Sequence, residues 1–564
     1  MRRILMLATL MGSITAHALG PVAANLRDDA ITPDDITTHG GGYDLQRHSP
    51  LRQINRDNVA RLVPVWNLSL ANNYPQEGQP LLIDGILYQT TTDATVAVDA
   101  VTGRQLWRTP ISLPQDVHAV VCCGSHNRGA AAYEGLLFRG TLDAFVIALD
   151  LKTGKEVWRQ QAADYQVGYS MTGAPLVADG VLITGISGGE FGTRGFLDGW
   201  DPATGKKLWR RYTTAAPDEP GGDTWGSPEA YLEGGGPTWL TGSYDPELGL
   251  VYWGTGNGGP WNPTGARAGS NLYICSALAI RPKTGEIVWH FQFSPNDPFD
   301  YDGVNELVLG ELSIDGKPRK VLMQANRNGF FYVLDRATGE LLAANPFVDR
   351  INWATGIDMA TGRPIDSELT KIFRTTPEMD EPIEIWPSMW GGKNWMPMSF
   401  DPDMGLAYAN TLNIGYPFRN ILETKEPMVM YLGTELVDMV WPENGMRGYL
   451  KAIDPLTGKS QWQVPSAMPN FSGVLSTAGG LVFSGRMDGE FAAYDSATGK
   501  KLWGFQTGSG IVGIPVTWER DGRQYVTIAS GIGGAYALYS GDERLQNIPT
   551  GGSLWTFALF EEKK

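Results

Sequence analysis

The sequence predicts an all-β protein built from repeated four-stranded units, and its composition and one internal repeat carry that prediction. The 564 residues include 70 Gly and 36 Pro, which favour turns, and 42% hydrophobic residues with 19 Trp, which supply an ample core. This balance excludes a disordered chain and a collagen-like chain. Length alone would suggest about four domains of ~150 residues each, but a repeat overrides that count.

The repeat is a D-x-x-T-G turn followed, after three further residues, by Trp. Complete copies run from Asp to Trp at 99–107, 150–158, 201–209, 454–462 and 495–503. Arg281 replaces the Asp in a copy that ends at Trp289, whereas the turns at 335–339 and 358–362 lack the Trp. Because Asp accepts backbone N–H groups ahead of it and Gly adopts positive φ, each copy predicts a tight turn between two strands.

Each copy has the size of one blade of a β-propeller. Short apolar strands precede several of the turns, at 96–98, 145–149 and 330–334. A four-stranded blade cannot bury both of its faces alone, so we expect blades to stack radially and the recurring Trp to fill the gap between neighbours. Further strand-like units at 245–250 and 401–406 bring the total to seven or eight blades. A short capped helix is predicted at 55–62.

The N-terminal 18 residues have the layout of a secretory signal peptide. Two Arg precede an apolar run, and an A-H-A sequence follows at 16–18. The alternative is an N-terminal core helix, since the run is too short to span a bilayer. We expect residues 1–18 to be cleaved and residues 19–564 to form a single propeller domain in the periplasm. No later stretch reaches 18 apolar residues, so no membrane span is predicted.

Charge and cysteine content exclude several classes of protein. Asp and Glu total 61 against 45 Lys and Arg, a net charge of −16. This charge argues against nucleic acid and anionic membranes as partners and favours a cationic partner or ion. Six His and three Cys, with no C-x-x-C-H sequence, argue against a zinc cluster, a disulfide scaffold and a c-type haem site. Any metal ion should therefore have oxygen ligands.

Some residues are not explained by a propeller. The adjacent Cys122 and Cys123 predict a vicinal disulfide in an oxidising compartment, with two buried free thiols as the alternative. Cys275 is expected to be a buried strand thiol, with an intermolecular disulfide as the alternative. If the segment at 300–302 is extended, Asp300 and Asp302 share a face and can reach one cation. A solvated turn would carry the same D-x-D pattern.

Several motifs, taken in order, resemble one known family. They are R-H-S-P-L at 47–51, the Cys-Cys segment with N-R-G at 127–129, S-G-G-E-F-G at 187–192, Y-W-G-T-G-N at 252–257, the Asp300 segment, and N-R-N-G at 326–329. Together they resemble the quinoprotein alcohol dehydrogenases, the periplasmic methanol and ethanol dehydrogenase family that uses pyrroloquinoline quinone (PQQ). The resemblance covers nearly the whole mature chain and implies an eight-bladed propeller.

The resemblance implies a role for each unexplained residue. Cys122 and Cys123 would cover one face of PQQ as a vicinal disulfide, and Trp239 would stack on the other. Further PQQ contacts would come from Glu77, Arg128, Thr172, Ser187, Gly188, Gly189, Arg327 and Asn394. Metal ligands would be Glu190, Asn257 and Asp300. Asp302 is typical of the lanthanide-dependent members, and three carboxylates suit a lanthanide(III) ion, with Ca²⁺ as the alternative.

The activity implied by the resemblance is oxidation of primary alcohols to aldehydes. Asp300 would act as general base, and Arg327 with the metal would polarise the C5 carbonyl of PQQ. Electrons would pass to a soluble c-type cytochrome, which an acidic surface suits if the cytochrome is basic. A calcium-dependent PQQ ethanol dehydrogenase is the alternative enzyme, and a non-catalytic PQQ-like scaffold of the cell envelope is the alternative of another class. The preferred alcohol and the oligomeric state, a homodimer included, are left open.

Overall fold

The computed structural model describes residues 21–28 and 32–560. The predicted signal peptide at 1–18 therefore lies outside the described residues. Within them, strands dominate and helices are few and short. No helix in the described part of the chain has the length and hydrophobicity needed to cross a bilayer.

Four sheets of four antiparallel strands follow one another in the first half of the chain. Sheet I contains β3 (Leu81–Ile83), β4 (Ile86–Thr90), β5 (Ala94–Asp99) and β6 (Gln105–Pro110). Sheet II contains β7 (Ala131–Tyr133), β8 (Leu136–Gly140), β9 (Phe145–Asp150) and β10 (Glu156–Gln161). Sheet III contains β11 (Leu176–Ala178), β12 (Val181–Gly185), β13 (Phe196–Trp200) and β14 (Lys207–Tyr212). Sheet IV contains β15 (Ser243–Asp245), β16 (Leu250–Gly254), β17 (Ser276–Ile280) and β18 (Ile287–Gln292).

Four further sheets are built on the same plan. Sheet V contains β19 (Val308–Ile314), β20 (Lys317–Ala325), β21 (Phe330–Asp335) and β22 (Leu341–Pro346). Sheet VI contains β26 (Ser399–Asp401), β27 (Leu406–Leu412), β30 (Gly448–Ile453) and β31 (Ser460–Ser466). Sheet VII contains β32 (Val474–Thr477), β33 (Leu481–Gly485), β34 (Glu490–Asp495) and β35 (Lys501–Gln506), with β1 (His48–Ser49) added in parallel to β32. Sheet VIII contains β36 (Val516–Arg520), β37 (Arg523–Ser530), β38 (Ser553–Leu559) and β2 (Leu62–Ser69).

The remaining elements are small and lie mostly between sheets V and VI in the chain. The hairpin β23 (Ala354–Asp358) and β24 (Arg363–Asp366) precedes helix α2 (Glu368–Thr375). A three-stranded sheet pairs β25 (Ile383–Ile385), β28 (Tyr416–Asn420) and β29 (Thr434–Leu436). Helices α1 (Ala23–Asp28) and α3 (Ala535–Tyr539) have six and five residues. The predicted helix at 55–62 is reduced to a single 3-10 turn, Val59–Arg61, because the Asn58 side chain caps the backbone of Asn55 instead of the helix.

The repeat Trp residues connect each sheet to the next, as the sequence predicts. Trp107 of β6 packs against the turn of sheet II, where a Cβ on Gly154 would lie 2.5 Å from the indole ring. Indole N–H groups of the repeat donate to backbone carbonyls of the following sheet in the pairs Trp107–Leu151, Trp158–Pro202, Trp209–Pro282, Trp462–Ser496 and Trp503–Leu62. Trp66 of β2, which lies outside the repeat, donates in the same way to Ala100 of sheet I. Trp289 packs against the turn of sheet V, where a Cβ on Gly339 would lie 2.7 Å from its ring, but its indole N–H has no hydrogen-bond partner among the described residues. Gly is thus required in these turns because the neighbouring indole occupies the space of a side chain.

The two copies without Trp take different roles. In β22 the position of the Trp is taken by Ala343. The contact with the next sheet comes from Asn345, two residues later, whose side chain donates to the Leu456 carbonyl at 2.8 Å and so joins sheet V to sheet VI. The turn at 358–362 closes the β23–β24 hairpin and belongs to none of sheets I to VIII. The repeat therefore identifies a type of turn. Most of its copies lie in a four-stranded sheet, but the copy at 358–362 does not.

The hydrophobic core is divided into clusters between neighbouring sheets. One cluster joins Leu87 and Val96 of sheet I to Trp518 of sheet VIII. Another joins Phe483 of sheet VII to Val526 of sheet VIII. Sheet VIII is completed by β2, which pairs antiparallel with β38 from Leu62↔Leu559 to Ser69↔Ser553. Burial between sheets, rather than within one central core, is what the repeat predicts.

Candidate active site

One cavity of about 290 Å³ collects most of the residues that the sequence singles out. The predicted residues that line it are Glu77, Cys122, Cys123, Arg128, Thr172, Ser187, Gly188, Glu190, Trp239, Asp300, Asp302, Arg327 and Asn394. They lie in loops between second and third strands or in loops that lead from one sheet to the next, Glu77 among them in the loop from β2 of sheet VIII to β3 of sheet I. In antiparallel sheets of up-and-down order these two kinds of loop lie at the same edge, so the topology brings distant segments to one place.

Two predicted residues, Gly189 and Asn257, lie behind the cavity lining. Asn257 is fully buried, and its Oδ1 has no hydrogen-bond partner among the described residues. A Cβ on Gly189 would lie 2.7 Å from that oxygen, so a side chain there would collide with it. The backbone N–H of Asn257 donates to Oδ1 of Asp302 at 2.6 Å. Asn257 is therefore in direct contact with the acidic cluster, formed by Glu190, Asp300 and Asp302, although Asn257 itself does not line the cavity.

The two adjacent cysteines form a vicinal disulfide, which excludes the alternative of two free thiols. The disulfide is connected to α3, because the hydroxyl of Tyr539 donates to the Cys122 carbonyl. Trp239 lines the same cavity, and its indole N–H donates to Oδ2 of Asp302 at 3.1 Å. Cys275 is a buried free thiol, as expected.

Asp300 and Asp302 both face the guanidinium of Arg327. Nη1 of Arg327 lies 2.8 Å from Oδ2 of Asp300, and Nη2 lies 2.9 Å from Oδ2 of Asp302. The segment is not extended at Asp300, which has a left-handed φ of 60°. The shared face arises instead from this turn, while Tyr301 points away and its hydroxyl donates to the Pro387 carbonyl.

Burial raises the pKa values of the three carboxyl groups Glu190, Asp300 and Asp302, and repulsion between carboxylates adds to the rise at Glu190 and Asp300. Burial raises the pKa of Glu190 to about 7, and the charge of Asp302 adds to this rise. Burial also raises the pKa of Asp300 well above its usual range and raises that of Asp302, and in both cases Arg327 opposes the rise. One guanidinium thus faces the buried carboxyl groups of Asp300 and Asp302, with the partly exposed Glu190 nearby, an arrangement that a further cation would stabilise.

The residues present fit an oxygen-bound cation by their chemistry. Oδ1 of Asp300 and Oδ1 of Asn257 are buried oxygen atoms without hydrogen-bond partners among the described residues. Within the part of the chain that the structure describes, no group of three or more His, Cys, Asp or Glu side chains is already arranged to hold a metal ion. Asp300 and Asp302 are paired with Arg327 instead.

Another part of the cavity lining is polar and is formed by Arg128, Glu77, Thr172 and Ser187, which we call the polar wall. Its Nη2 lies 2.9 Å from Oε2 of Glu77, and its Nη1 donates to Oγ1 of Thr172 at 2.9 Å. The hydroxyl groups of Thr172 and Ser187 are 3.2 Å apart. Burial raises the pKa of Glu77 to about 7, and Arg128 opposes that rise. This wall presents hydrogen-bond donors and fits the carboxylates of a planar anionic ligand.

Two residues near this wall, His126 and Trp395, were not predicted from the sequence. His126 lines the cavity, and its only sequence signal is its place between the cysteine pair and Arg128. Trp395 lies across Arg128 from Trp239, with ring centroids 5.0 and 4.7 Å from the guanidinium carbon. The neighbouring Asn394 lines the cavity, but its amide also donates to the Trp390 carbonyl at 3.0 Å.

Apart from Gly124 and Ser170, the rest of the lining is apolar and could not be predicted from the sequence. It consists of Val121, Trp261, Met389, Trp390, Tyr416, Met430, Leu432, Leu436, Ala535 and Tyr539. Most of these residues come from the small three-stranded sheet, from its connections and from α3. An apolar chamber thus adjoins the acidic cluster and suits an uncharged substrate.

The chain matches known proteins over nearly its whole length. The family model for the β-propeller domain of glucose, ethanol and other alcohol PQQ dehydrogenases matches residues 37–344 and 437–526. A quinoprotein alcohol dehydrogenase of Pseudomonas putida, PedH, is 42% identical, with 98% of this chain and 96% of that protein covered. A quinoprotein ethanol dehydrogenase of Pseudomonas aeruginosa is 41% identical, with 96% and 95% covered. The solved structure of a europium-containing methanol dehydrogenase has a TM-score of 0.89 at 35% identity, with 95% of this chain and 100% of that chain covered.

Proposed function

Because the chain belongs to the family of PQQ-dependent quinoprotein alcohol dehydrogenases, we propose that it oxidises primary alcohols to aldehydes with PQQ bound in the cavity described above. The observation that carries the proposal is the composition of that cavity. One space is lined by a vicinal disulfide, by a Trp that is hydrogen-bonded to the acidic cluster, and by the polar wall around Arg128. A binding scaffold would need none of these together, so the enzyme is favoured over the non-catalytic alternative.

PQQ would be held by the polar wall and by two flat surfaces. Arg128, Thr172 and Ser187 would receive its carboxylates, with Glu77, Gly188, Gly189 and Asn394 nearby. The Cys122–Cys123 disulfide and Trp239 would cover its two faces. Arg128 and Arg327, whose guanidinium carbons lie 4.7 and 5.6 Å from the Trp239 ring centroid, would balance the negative charge of the cofactor.

We infer a lanthanide(III) ion as the metal, held by Glu190, Asn257, Asp300 and Asp302. The three carboxyl groups supply up to −3, which suits a trivalent ion better than a divalent one. The unpartnered oxygen atoms of Asn257 and Asp300 support this ligand set. The likeness to a europium-containing methanol dehydrogenase is consistent with it. Ca²⁺ is the alternative ion, because it takes the same oxygen ligands.

When bound, PQQ supplies the two-electron oxidant and the metal ion supplies a Lewis acid. Asp300 would also take the hydroxyl proton of the alcohol, with a carboxylate lone pair that the metal ion does not use. Arg327 holds Oδ2 of the same carboxylate at 2.8 Å and so orients it. The apolar chamber would hold the carbon chain of the alcohol and exclude water.

The remaining features of the proposal concern electron transfer, location and architecture. The sequence carries no C-x-x-C-H haem motif, so we infer a separate c-type cytochrome as electron acceptor.

The signal-peptide pattern supports a periplasmic location. We infer that sheets I to VIII are the eight blades of one propeller, which is supported by the side-chain contacts that lead from sheet VIII through each sheet and back to β2.

The experiment that tests the proposal is reconstitution of the purified apoprotein. Protein, PQQ and either La³⁺ or Ca²⁺ are combined, and alcohol-dependent dye reduction is followed for a series of primary alcohols. We expect turnover that needs PQQ and La³⁺. Turnover with Ca²⁺ alone would overturn the lanthanide assignment, and no PQQ-dependent turnover with either ion would overturn the enzyme itself.

A further inference from the structure

A buried imidazole beside Arg128 is not used by any role described so far. His126 is 3% exposed and lines the cavity. Its Nδ1 has no hydrogen-bond partner among the described residues. Its Nε2 lies 3.6 Å from Oε2 of Glu77, too far for a hydrogen bond. One of its two ring nitrogens therefore faces Glu77, and the other lacks a protein partner.

The surroundings of His126 keep its ring neutral. Burial and the nearby Arg128 charge lower the pKa of His126 well below its usual value. A neutral imidazole has one N–H donor and one acceptor nitrogen. Because Nε2 makes no hydrogen bond with Glu77, this contact does not hold the ring proton on Nε2. The neutral ring can therefore carry its proton on Nδ1, the nitrogen without a partner, and donate it to an acceptor in the cavity.

A buried N–H group without a partner destabilises a protein, and an aliphatic side chain would avoid this cost. Nε of Arg128 is likewise buried and unpartnered among the described residues. Nδ1 of His126 and Nε of Arg128 are thus two N–H donors for which the described residues provide no acceptor. The acceptor should be an oxygen with negative charge, because it lies beside the Arg128 guanidinium.

We propose that His126 binds the cofactor directly, donating through Nδ1 to a carboxylate oxygen of PQQ beside Arg128 and Thr172. The proposal rests on the proposed function, since it requires PQQ in this cavity. It gives His126 a role in cofactor affinity and none in the transfer of protons from the alcohol.

The test is equilibrium dialysis of PQQ against purified apoprotein with La³⁺ present, for the wild type and three variants. His126→Leu removes the donor, and we expect a Kd about 10-fold or more higher. His126→Asn places an amide N–H near the position of Nδ1, and we expect a Kd within about threefold of the wild type. His126→Gln reaches the position of Nε2 instead and should bind PQQ as weakly as His126→Leu.

His118 provides a matched control, because it is exposed, lies in the preceding 3-10 helix Val117–Val120 and does not line the cavity. His118→Leu should leave the Kd for PQQ unchanged. Thermal unfolding adds a readout of packing: His126→Leu should not lower the midpoint of the apoprotein but should reduce the increase that PQQ produces.

Three outcomes are distinguishable. A Kd for His126→Leu within twofold of the wild type would overturn the proposal. So would a lower midpoint of apo His126→Leu together with no recovery of affinity in His126→Asn, since His126 would then act only through packing. A wild-type protein that binds no PQQ would overturn the proposed function instead.

Discussion

Nη1 of Arg327 lies 2.8 Å from Oδ2 of Asp300, while Oδ1 of the same carboxylate is buried without a partner. One oxygen is thus held in place by Arg327, and the other is left for the proposed metal ion and for the proton of the alcohol. This asymmetry is what a positioned general base requires.

The first prediction follows from this pair. Asp300→Asn should lower kcat for alcohol oxidation by at least about 100-fold, because the amide cannot take the hydroxyl proton. The measurement is steady-state dye reduction, with bound PQQ determined separately. Asp218→Asn, the same change at an exposed position, should retain wild-type kcat. Activity near the wild-type level in Asp300→Asn would show that another group is the base.

The second prediction concerns Asp302, which accepts hydrogen bonds from the Asn257 backbone and the Trp239 indole and pairs with Arg327. Asp302→Ala should abolish activity supported by La³⁺ and weaken binding of the ion. It should also lower stability by about 1–3 kcal/mol, because it leaves buried donors unpaired. Calorimetric titration with La³⁺ measures the affinity directly. Unchanged affinity would mean that Asp302 only supports the neighbouring residues.

Much of this architecture could be predicted because the repeat is local. The D-x-x-T-G turn specifies its own geometry, and the Trp after it contacts the next sheet in most copies. The role of Asn345 could not be predicted, because it lies two residues beyond the Trp position of its copy and only its contact with Leu456 reveals that it joins two sheets. The same holds for the left-handed backbone of Asp300, since nothing in a D-Y-D sequence distinguishes a turn from a strand.

The site was only partly predictable for a related reason. Motif positions such as Glu190 and Arg327 lie at strand ends, where topology brings them together. The apolar lining comes from residues such as Trp261, Leu436 and Tyr539, which are far apart in the chain and have no common pattern. Contacts of this kind depend on the packing of whole segments, and periodicity does not encode them.

The third prediction tests the contacts between sheets. Trp158 of β10 donates to the Pro202 carbonyl at 3.0 Å. Trp158→Phe should lower the free energy of unfolding by about 1 kcal/mol for the lost hydrogen bond, and Trp158→Ala by about 3 kcal/mol for the lost packing as well. The shift of the urea unfolding midpoint measures both. Val157→Ala changes the adjacent residue, which is 53% exposed, and should have little effect. Equal stability of all three variants would contradict a docking role.

The fourth prediction concerns stability and pH at Asp35. Burial raises the pKa of this carboxyl to about 6, above the value of an unfolded chain. Its contribution to stability is therefore fully present below about pH 4 and is lost as the pH rises through about 6. Asp35→Asn should remove a loss of about 1–2 kcal/mol between pH 4 and pH 7, since water screens this partly exposed carboxyl and Arg520 lies beside it. Urea unfolding at several pH values measures the loss. The exposed neighbour gives the control Asp34→Asn, which should keep the wild-type pH dependence.

The fifth prediction concerns the choice of alcohol. The chamber beside Asp300 is lined by Trp261, Trp390, Leu432 and Leu436, so each added methylene group of a substrate should become buried. At about 0.8 kcal/mol per buried CH₂, kcat/KM should rise about fourfold for each carbon from methanol to 1-butanol. Leu436→Ala removes part of the contact surface and should flatten this series for the longer alcohols, while its kcat/KM for methanol stays close to that of the wild type. A series that is flat or falls in the wild type would show that the alcohol chain lies outside the apolar chamber.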